Sequence, residues 1–286
     1  MEAFRKYDHV FLIGIGGIGM SALARFFYSA GHRVAGYDRT SGPVTNALLN
    51  EGVVVLFEEE VNSIPSAFTN PSNTLVIYTP AVPGSHQQLE WFRQKDFKVL
   101  KRSQVLGLIT EDMKSVCVAG THGKTTVSTL TAYLLHNSSL GANAFLGGIP
   151  KNFGTNFLHD QNSDLVVLEA DEFDRSFWQL TPSTALITSM DADHLDVYGN
   201  SDKVREGFTG FAARIKKNGT LLIKAGLPVP EGLAEGVEVF TYSRENEPDY
   251  KIINLKYHKG LYSFDLKTPE GKISGFTSGM PGLVNV

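Results

Sequence analysis

Short apolar runs alternate with glycine-marked turns and helically spaced apolar positions along the first hundred residues. His9 to Ile13 is such a run and reads as a buried strand. Gly14 to Gly19 follows and holds four glycines, after which Ile18, Ala22, Leu23, Phe26, Phe27 and Ala30 recur at helical spacing. Gly31 closes that helix, and Arg33 to Tyr37 forms the next strand, ending at Asp38. Strand, glycine turn, helix and strand in this order predict a parallel sheet. The pattern continues with a helix over 43–50, extended segments over 53–57 and 74–78, a helix over 86–94 and a strand over 98–101.

A second unit opens with a strand over 115–119, a polar glycine loop over 120–126 and a helix over 127–136. Apolar strands over 164–168 and 184–188 end in the acidic clusters 169–172 and 190–194. Glycine loops and carboxylates at strand C-terminal ends are where open α/β sheets hold ligands. The last fifty residues alternate instead, over 250–254, 261–266 and 272–276. Lys259-Gly260 and Pro269 to Gly271 separate these runs, as in an antiparallel meander. No internal repeat or low-complexity segment interrupts the chain.

Composition narrows this picture. The 286 residues suffice for two cores, and 42% hydrophobic with 20% charged residues is ordinary for a globular chain. Lys and Arg total 26 against 30 Asp and Glu, a net charge of -4, and no basic run marks a nucleic-acid surface. The single cysteine, Cys117, excludes an internal disulfide and reads as a small buried hydrophobe. Met1 to Asp8 is charged and lacks a signal-peptide core, and the Val10 to Met20 stretch is too short to span a membrane. A cytoplasmic protein without membrane or nucleic-acid partners is expected.

Two loops carry the chemistry. Gly14-x-Gly16-x-x-Gly19 between strand and helix suits a diphosphate at a helix N-terminus, and Asp38 lies where an acid would meet a ribose hydroxyl. The same loop serves a dinucleotide, a nucleotide diphosphate or a plain tight turn. Gly120, Thr121, His122, Gly123, Lys124, Thr125 and Thr126 resemble a phosphate loop whose first glycine is replaced by Val118. In such a loop backbone amides cradle phosphates, Lys124 offsets β- and γ-phosphate charge, and Thr125 reaches Mg2+. Glu169, at the next strand end, is the favoured carboxylate for that cation, with Asp171 and Glu172 as alternatives. His194, between Asp193 and Asp196, is a candidate for metal or phosphate contact. The polar loop 147–156 is read as a substrate loop or a plain connection.

Taken together, these segments resemble the Mur ligases. They are GIGGIGMS (14–21), TPAVP (79–83), VAGTHGKTT (118–126), GGIPKNFGTN (147–156), LEADEFDRSF (168–177), MDADHLDVYG (190–199) and MPGLVNV (280–286). The resemblance implies an α/β fold. An N-terminal Rossmann-like parallel-sheet domain, 1–107, would bind a UDP-sugar, and a P-loop ATPase-type central domain with a small antiparallel meander, 108–286, would bind ATP. The family's C-terminal Rossmann-like domain is expected to be absent from this chain.

The activity implied is ATP-dependent joining of L-alanine to the carboxylate of UDP-N-acetylmuramate through an acyl phosphate, a step of peptidoglycan precursor synthesis. By the same resemblance ATP and Mg2+ are required. Lys124, Glu169 and His194 are catalytic, and Thr125, Glu169 and His194 hold metal. Gly14, Gly16, Gly17, Gly19, Met20, Ser21 and Asp38 bind the UDP portion. Asn152, Thr155 and Asn156 approach the muramoyl portion, and Asn285 reaches adenine. Val284 replaces a histidine common in the last motif. A monomer or weak homodimer is expected. The alternatives are a ligase attaching a recycled peptide to the same sugar nucleotide, an NAD-dependent dehydrogenase, or a P-loop binding module. A dehydrogenase leaves the Gly-Lys-Thr loop without a use, and a P-loop module leaves the first glycine loop without one.

Overall fold

The computed structural model describes residues 2–191 and 201–279. The chain divides into two compact units, one of residues 1–114 and 131–168, the other of residues 115–130 and 169–286. In the first unit β1 (His9–Ile13), β2 (Arg33–Tyr37), β3 (Val54–Leu56), β4 (Thr74–Tyr78) and β5 (Lys98–Lys101) form a parallel sheet in the order β3-β2-β1-β4-β5. Helices α1 (Ile18–Ser29), α2 (Pro43–Asn50), α3 (Gln87–Gln94) and α4 (Arg102–Asp112) connect or follow these strands. Val10, Phe11, Leu12 and Ile13 are fully buried, as a central parallel strand covered on both faces requires. One face packs Phe11, Ile13, Val76, Leu89 and Phe92 into a single cluster. The strand order reverses direction at β1 and β4, so a crevice opens at their C-terminal ends.

α4 was not expected from the sequence. Its buried residues, Val105, Gly107, Ile109 and Thr110, include only two bulky apolar side chains, too few for a clear stripe. The helix extends across position 107, where the sequence reading places the domain boundary. After α5 (Lys124–His136), the first unit takes in β7 (Asn143–Phe145), β8 (Phe157–Leu158) and β9 (Leu165–Glu169) as far as Leu168, with Glu169 belonging to the second unit. Here β7 runs parallel to β9 and antiparallel to β8. Phe26 of α1 meets Phe145 and Phe157 with ring centroids 5.4 and 5.9 Å apart. Burying each such ring contributes roughly 1.5–3 kcal/mol, so the 143–158 segment is bound firmly to α1.

The second unit holds β6 (Lys114–Ala119), β10 (Thr184–Ile187), α6 (Ser201–Ala212), β11 (Thr220–Lys224), β12 (Glu238–Ser243), β13 (Tyr250–His258), β14 (Leu261–Thr268) and β15 (Gly271–Ser278). Its strands run β15-β14-β13-β12-β11-β10-β6. Pairing is parallel from β6 to β13 and antiparallel through β14 and β15, so the expected meander is present on a mixed sheet. α5 begins at Lys124, three residues earlier than its apolar pattern predicts. Phe177 is 1% exposed and stacks on Phe211 of α6 at 5.1 Å. Among the described residues, no helix is long and apolar enough to cross a membrane.

Cys117 lies inside β6, fully buried, and burial pushes its thiol up to about 12. The native protein is therefore expected to resist a thiol-specific disulfide reagent at pH 8, with one thiol appearing on denaturation. Rapid stoichiometric reaction of the folded chain would contradict this burial.

Candidate active site

The glycine loop sits where β1 ends. Gly14 has φ +86°, and a Cβ there would lie 2.5 Å from the Thr79 Cγ2. Only glycine lets the loop cross this closely over the segment following β4. Asp38, at the end of β2, accepts the Gly16 amide at 2.7 Å through one carboxylate oxygen and the Thr40 amide at 3.3 Å through the other. The acid read as a ribose partner thus also braces the loop. Gly17 is the N-cap of α1 and supplies no side-chain hydrogen bond to the first amides of the helix, which leaves them to an anion. Met20 and Ser21 are buried, at 2% and 0% exposure. Sequence reasoning passed over Arg102: its guanidinium Nη1 would stand 2.0 Å from a Cβ at Gly19, so a cation lies against the loop.

The 147–156 segment divides in two. Asn152 is exposed and Thr155 half-buried, but Asn156 is fully buried. Its amide nitrogen donates to the Ile18 carbonyl and, at 2.9 Å, to the Ser21 hydroxyl, while its oxygen accepts from Arg25. Arg25 also grips Glu51 through two nitrogens. The Asn156 side chain therefore ties this loop to the first turns of α1. Asn156→Ala is expected to lower unfolding stability by about 2–3 kcal/mol, because it strands buried partners. Chemical denaturation checks this; an unchanged midpoint with weakened ligand binding would instead mark Asn156 as a ligand contact.

The phosphate loop lies in the second unit. Gly120 has φ +140°, and a Cβ there would meet the Thr188 hydroxyl at 2.0 Å and the Ser189 amide at 2.9 Å. Thr188 and Ser189, just past β10, buttress the loop. The Thr188 hydroxyl lies against the His122 carbonyl, and the Ser189 hydroxyl accepts the His122 amide at 2.8 Å and pairs with the Thr121 hydroxyl at 2.9 Å. His122 is exposed, with its ring 3.9 Å from the Asp191 carboxylate. The Gly123 carbonyl accepts the Val127 amide at 2.9 Å and so begins α5. Thr125 is exposed and Thr126 half-buried on the first turn.

Lys124 points inward. Its ammonium donates at 2.8 Å to the Gly120 carbonyl and at 2.8 Å to Glu172 Oε1. Their side chains are 14% and 1% exposed. Glu169, at the end of β9, lies beside the Thr125 side chain, which favours its charged form. Burial above all pushes its carboxyl above its ordinary value, helped by the Asp171 and Glu172 charges and opposed by Thr125 and Lys124. Its Oε2 is buried with no hydrogen-bond partner among the described residues. A hydroxyl beside an unsatisfied carboxylate oxygen is a hard-oxygen pair that fits Mg2+, which takes few protein ligands and keeps several waters. The second unit thus brings together Lys124, Thr125, Glu169 and Glu172, the last of which the sequence reading ranked behind Glu169. His194 and Asn285 lie outside the described residues.

The family model described as Mur ligase middle domain matches residues 118–286, and that described as Mur ligase family, catalytic domain, matches residues 9–114. A UDP-N-acetylmuramate–L-alanine ligase of Phocaeicola vulgatus is 48% identical over 277 residues, covering 97% of this chain and 60% of the relative. One of Christiangramia forsetii is 43% identical over 287 residues, covering 100% of this chain and 62% of the relative. Among solved structures, a UDP-N-acetylmuramate-alanine ligase of Thermotoga maritima aligns with TM-score 0.78 and 24% identity, over 97% of this chain and 62% of the other. A UDP-N-acetylmuramate:L-alanyl-gamma-D-glutamyl-meso-diaminopimelate ligase of Neisseria meningitides aligns with TM-score 0.81 and 21% identity, over 98% of this chain and 90% of the other. These two structures share the fold described above. The chain spans about 60% of the length of the curated relatives it matches.

Proposed function

The chain belongs to the Mur ligase family, and from that premise we propose that it carries the sugar-nucleotide and ATP sites of an ATP-dependent ligase joining L-alanine to the carboxylate of UDP-N-acetylmuramate. The observation that carries the reading is the phosphate loop with Lys124 and Thr125 beside Glu169, whose buried carboxylate oxygen has no hydrogen-bond partner among the described residues. The name shared by relatives 41–48% identical supports the substrates.

The chemistry follows from the reactants. An amine attacking a carboxylate would have to expel oxide, a very poor leaving group. Transfer of the γ-phosphoryl group to that carboxylate makes an acyl phosphate and ADP; the amine then attacks the carbonyl and releases phosphate. In this proposal Lys124 offsets charge on the β- and γ-phosphates, and the loop amides orient them. Thr125 and Glu169 would hold Mg2+, which supplies charge neutralisation at the transferring group. The family pattern assigns His194 to a second cation and Asn285 to adenine. Gly14, Gly16, Gly17 and Gly19 would receive the UDP diphosphate with the backbone of Met20 and Ser21. Asp38 would stiffen that loop, Asn152 and Thr155 would face the muramoyl group, and Asn156 would brace their segment. The functional division is proposed at 107/108, with cell-wall precursor synthesis in the cytoplasm as the setting.

The Neisseria likeness makes a peptide ligase the second reading. The test is calorimetry of the chain with UDP-N-acetylmuramate, Mg-ATP and NADH. It is paired with phosphate release on adding L-alanine, other amino acids or the tripeptide L-alanyl-γ-D-glutamyl-meso-diaminopimelate. Binding of the first two ligands with alanine-dependent phosphate release is expected. Saturable NADH binding without sugar-nucleotide binding would overturn the assignment, and tripeptide-dependent release would favour the second reading.

A further inference from the structure

We propose that Glu172 is a specificity-determining residue: a built-in competitor that occupies Lys124 until a ligand bearing β- and γ-phosphates displaces it. The inference rests on the ATP site proposed above. Two of the three protons of the Lys124 ammonium are already committed, at 2.8 Å to the Gly120 carbonyl and at 2.8 Å to Glu172. Both partners are buried, and the lysine side chain is only 14% exposed. The ammonium is held back, not extended toward incoming phosphate.

Glu172 is fixed in place. At 1% exposure it has no path to follow the lysine into solvent. It caps the short 3-10 turn Phe173–Gln179, and its carbonyl accepts the Arg175 amide at 3.0 Å. The Phe177 amide returns to the Asp171 carbonyl at 3.1 Å, and the Phe177 ring stacks on Phe211. The carboxylate therefore belongs to a packed turn that stays put while the lysine, with four rotatable side-chain bonds, can move.

A ligand must then replace one charged partner of Lys124 with another. A triphosphate presents several anionic oxygens at the loop and compensates for the lost pair. A monophosphate, which does not reach the lysine, gains nothing from it. The pair thus makes affinity depend on the outer phosphates and keeps an unliganded lysine from standing in the loop without a counter-charge. A merely structural carboxylate would weaken nucleotide binding when removed; a competitor strengthens it.

The experiment titrates the chain with a non-hydrolysable ATP analogue and with AMP, each in Mg2+ and in EDTA, for wild type and Glu172→Gln. The analogue is expected to bind the variant about tenfold more tightly in EDTA, where no cation contributes, and AMP affinity is expected to stay within twofold. In a Lys124→Met background the same Glu172 exchange should leave analogue affinity within twofold, since the competition needs the lysine. If Glu172→Gln does not fold, Glu172→Asp, which withdraws the carboxylate by one methylene, should tighten binding about threefold. Unchanged or weaker analogue binding by a folded variant, or equal tightening for AMP, overturns the proposal. If wild type fails to bind the analogue even with Mg2+, the ATP site itself is wrong.

Discussion

Lys124→Ala is expected to abolish ATP-dependent turnover and also to destabilise the second unit by about 3–5 kcal/mol, because it takes away the cation 2.8 Å from the buried Glu172 carboxylate. The catalytic loss should reach at least a hundredfold, the scale of about 3 kcal/mol for a positioned charge at a developing anion. The two effects separate in the double variant Lys124→Ala, Glu172→Gln, which removes the buried negative charge as well. Its unfolding midpoint should recover most of the loss while turnover stays absent. UDP-N-acetylmuramate affinity, measured by calorimetry on the folded variants, should change little, since the lysine belongs to the ATP loop. Equal loss of both ligands in the stable double variant would show that Lys124 serves a wider structural role.

Gly120→Ala is expected to remove ATP binding through the backbone. A methyl group there collides with the Thr188 hydroxyl and the Ser189 amide, and the φ of +140° is itself strained for any L side chain. A cost of about 2–4 kcal/mol follows, most simply relieved by the loop leaving the end of β10. A fall in thermal midpoint with loss of nucleotide-induced stabilisation would be the signature. Thr188→Ala, which clears the hydroxyl, should restore part of the midpoint in the Gly120→Ala background; failure to do so would place the defect in the backbone, in φ and the contact with the Ser189 amide.

Both loops were legible from the sequence because their signals are local. Glycines that permit a tight turn, an apolar strand before and a helical pattern after all lie within about thirty residues. The partners that stiffen those loops are not local. Thr188 reads as the end of an apolar strand and Ser189 as the residue after it, and only the register pairing Ile187 with Ala119 brings them beside Gly120. Asn156 looks like a ligand contact within a polar loop, yet its partners Ile18, Ser21 and Arg25 lie more than 130 residues earlier. Glu172 appeared as one acid among several, and the lysine's choice of it depends on how the turn after β9 folds. β11, β12 and α6 escaped for another reason: the chain there carries no motif, and the partial burial of β12 leaves no clean alternation to read.

The bare N-cap of α1 has a consequence for how the first unit responds to its ligand. With Gly17 extended at φ −64°, ψ 144° and no side chain to close the first turn, those amides depend on solvent or on a bound anion. A diphosphate seated there completes the helix as a capping side chain would, so its binding energy goes partly into suppressing fraying. Amide hydrogen exchange at Ile18 and Gly19 should then register ligand more strongly than the buried strand β1, whose protection already comes from the core.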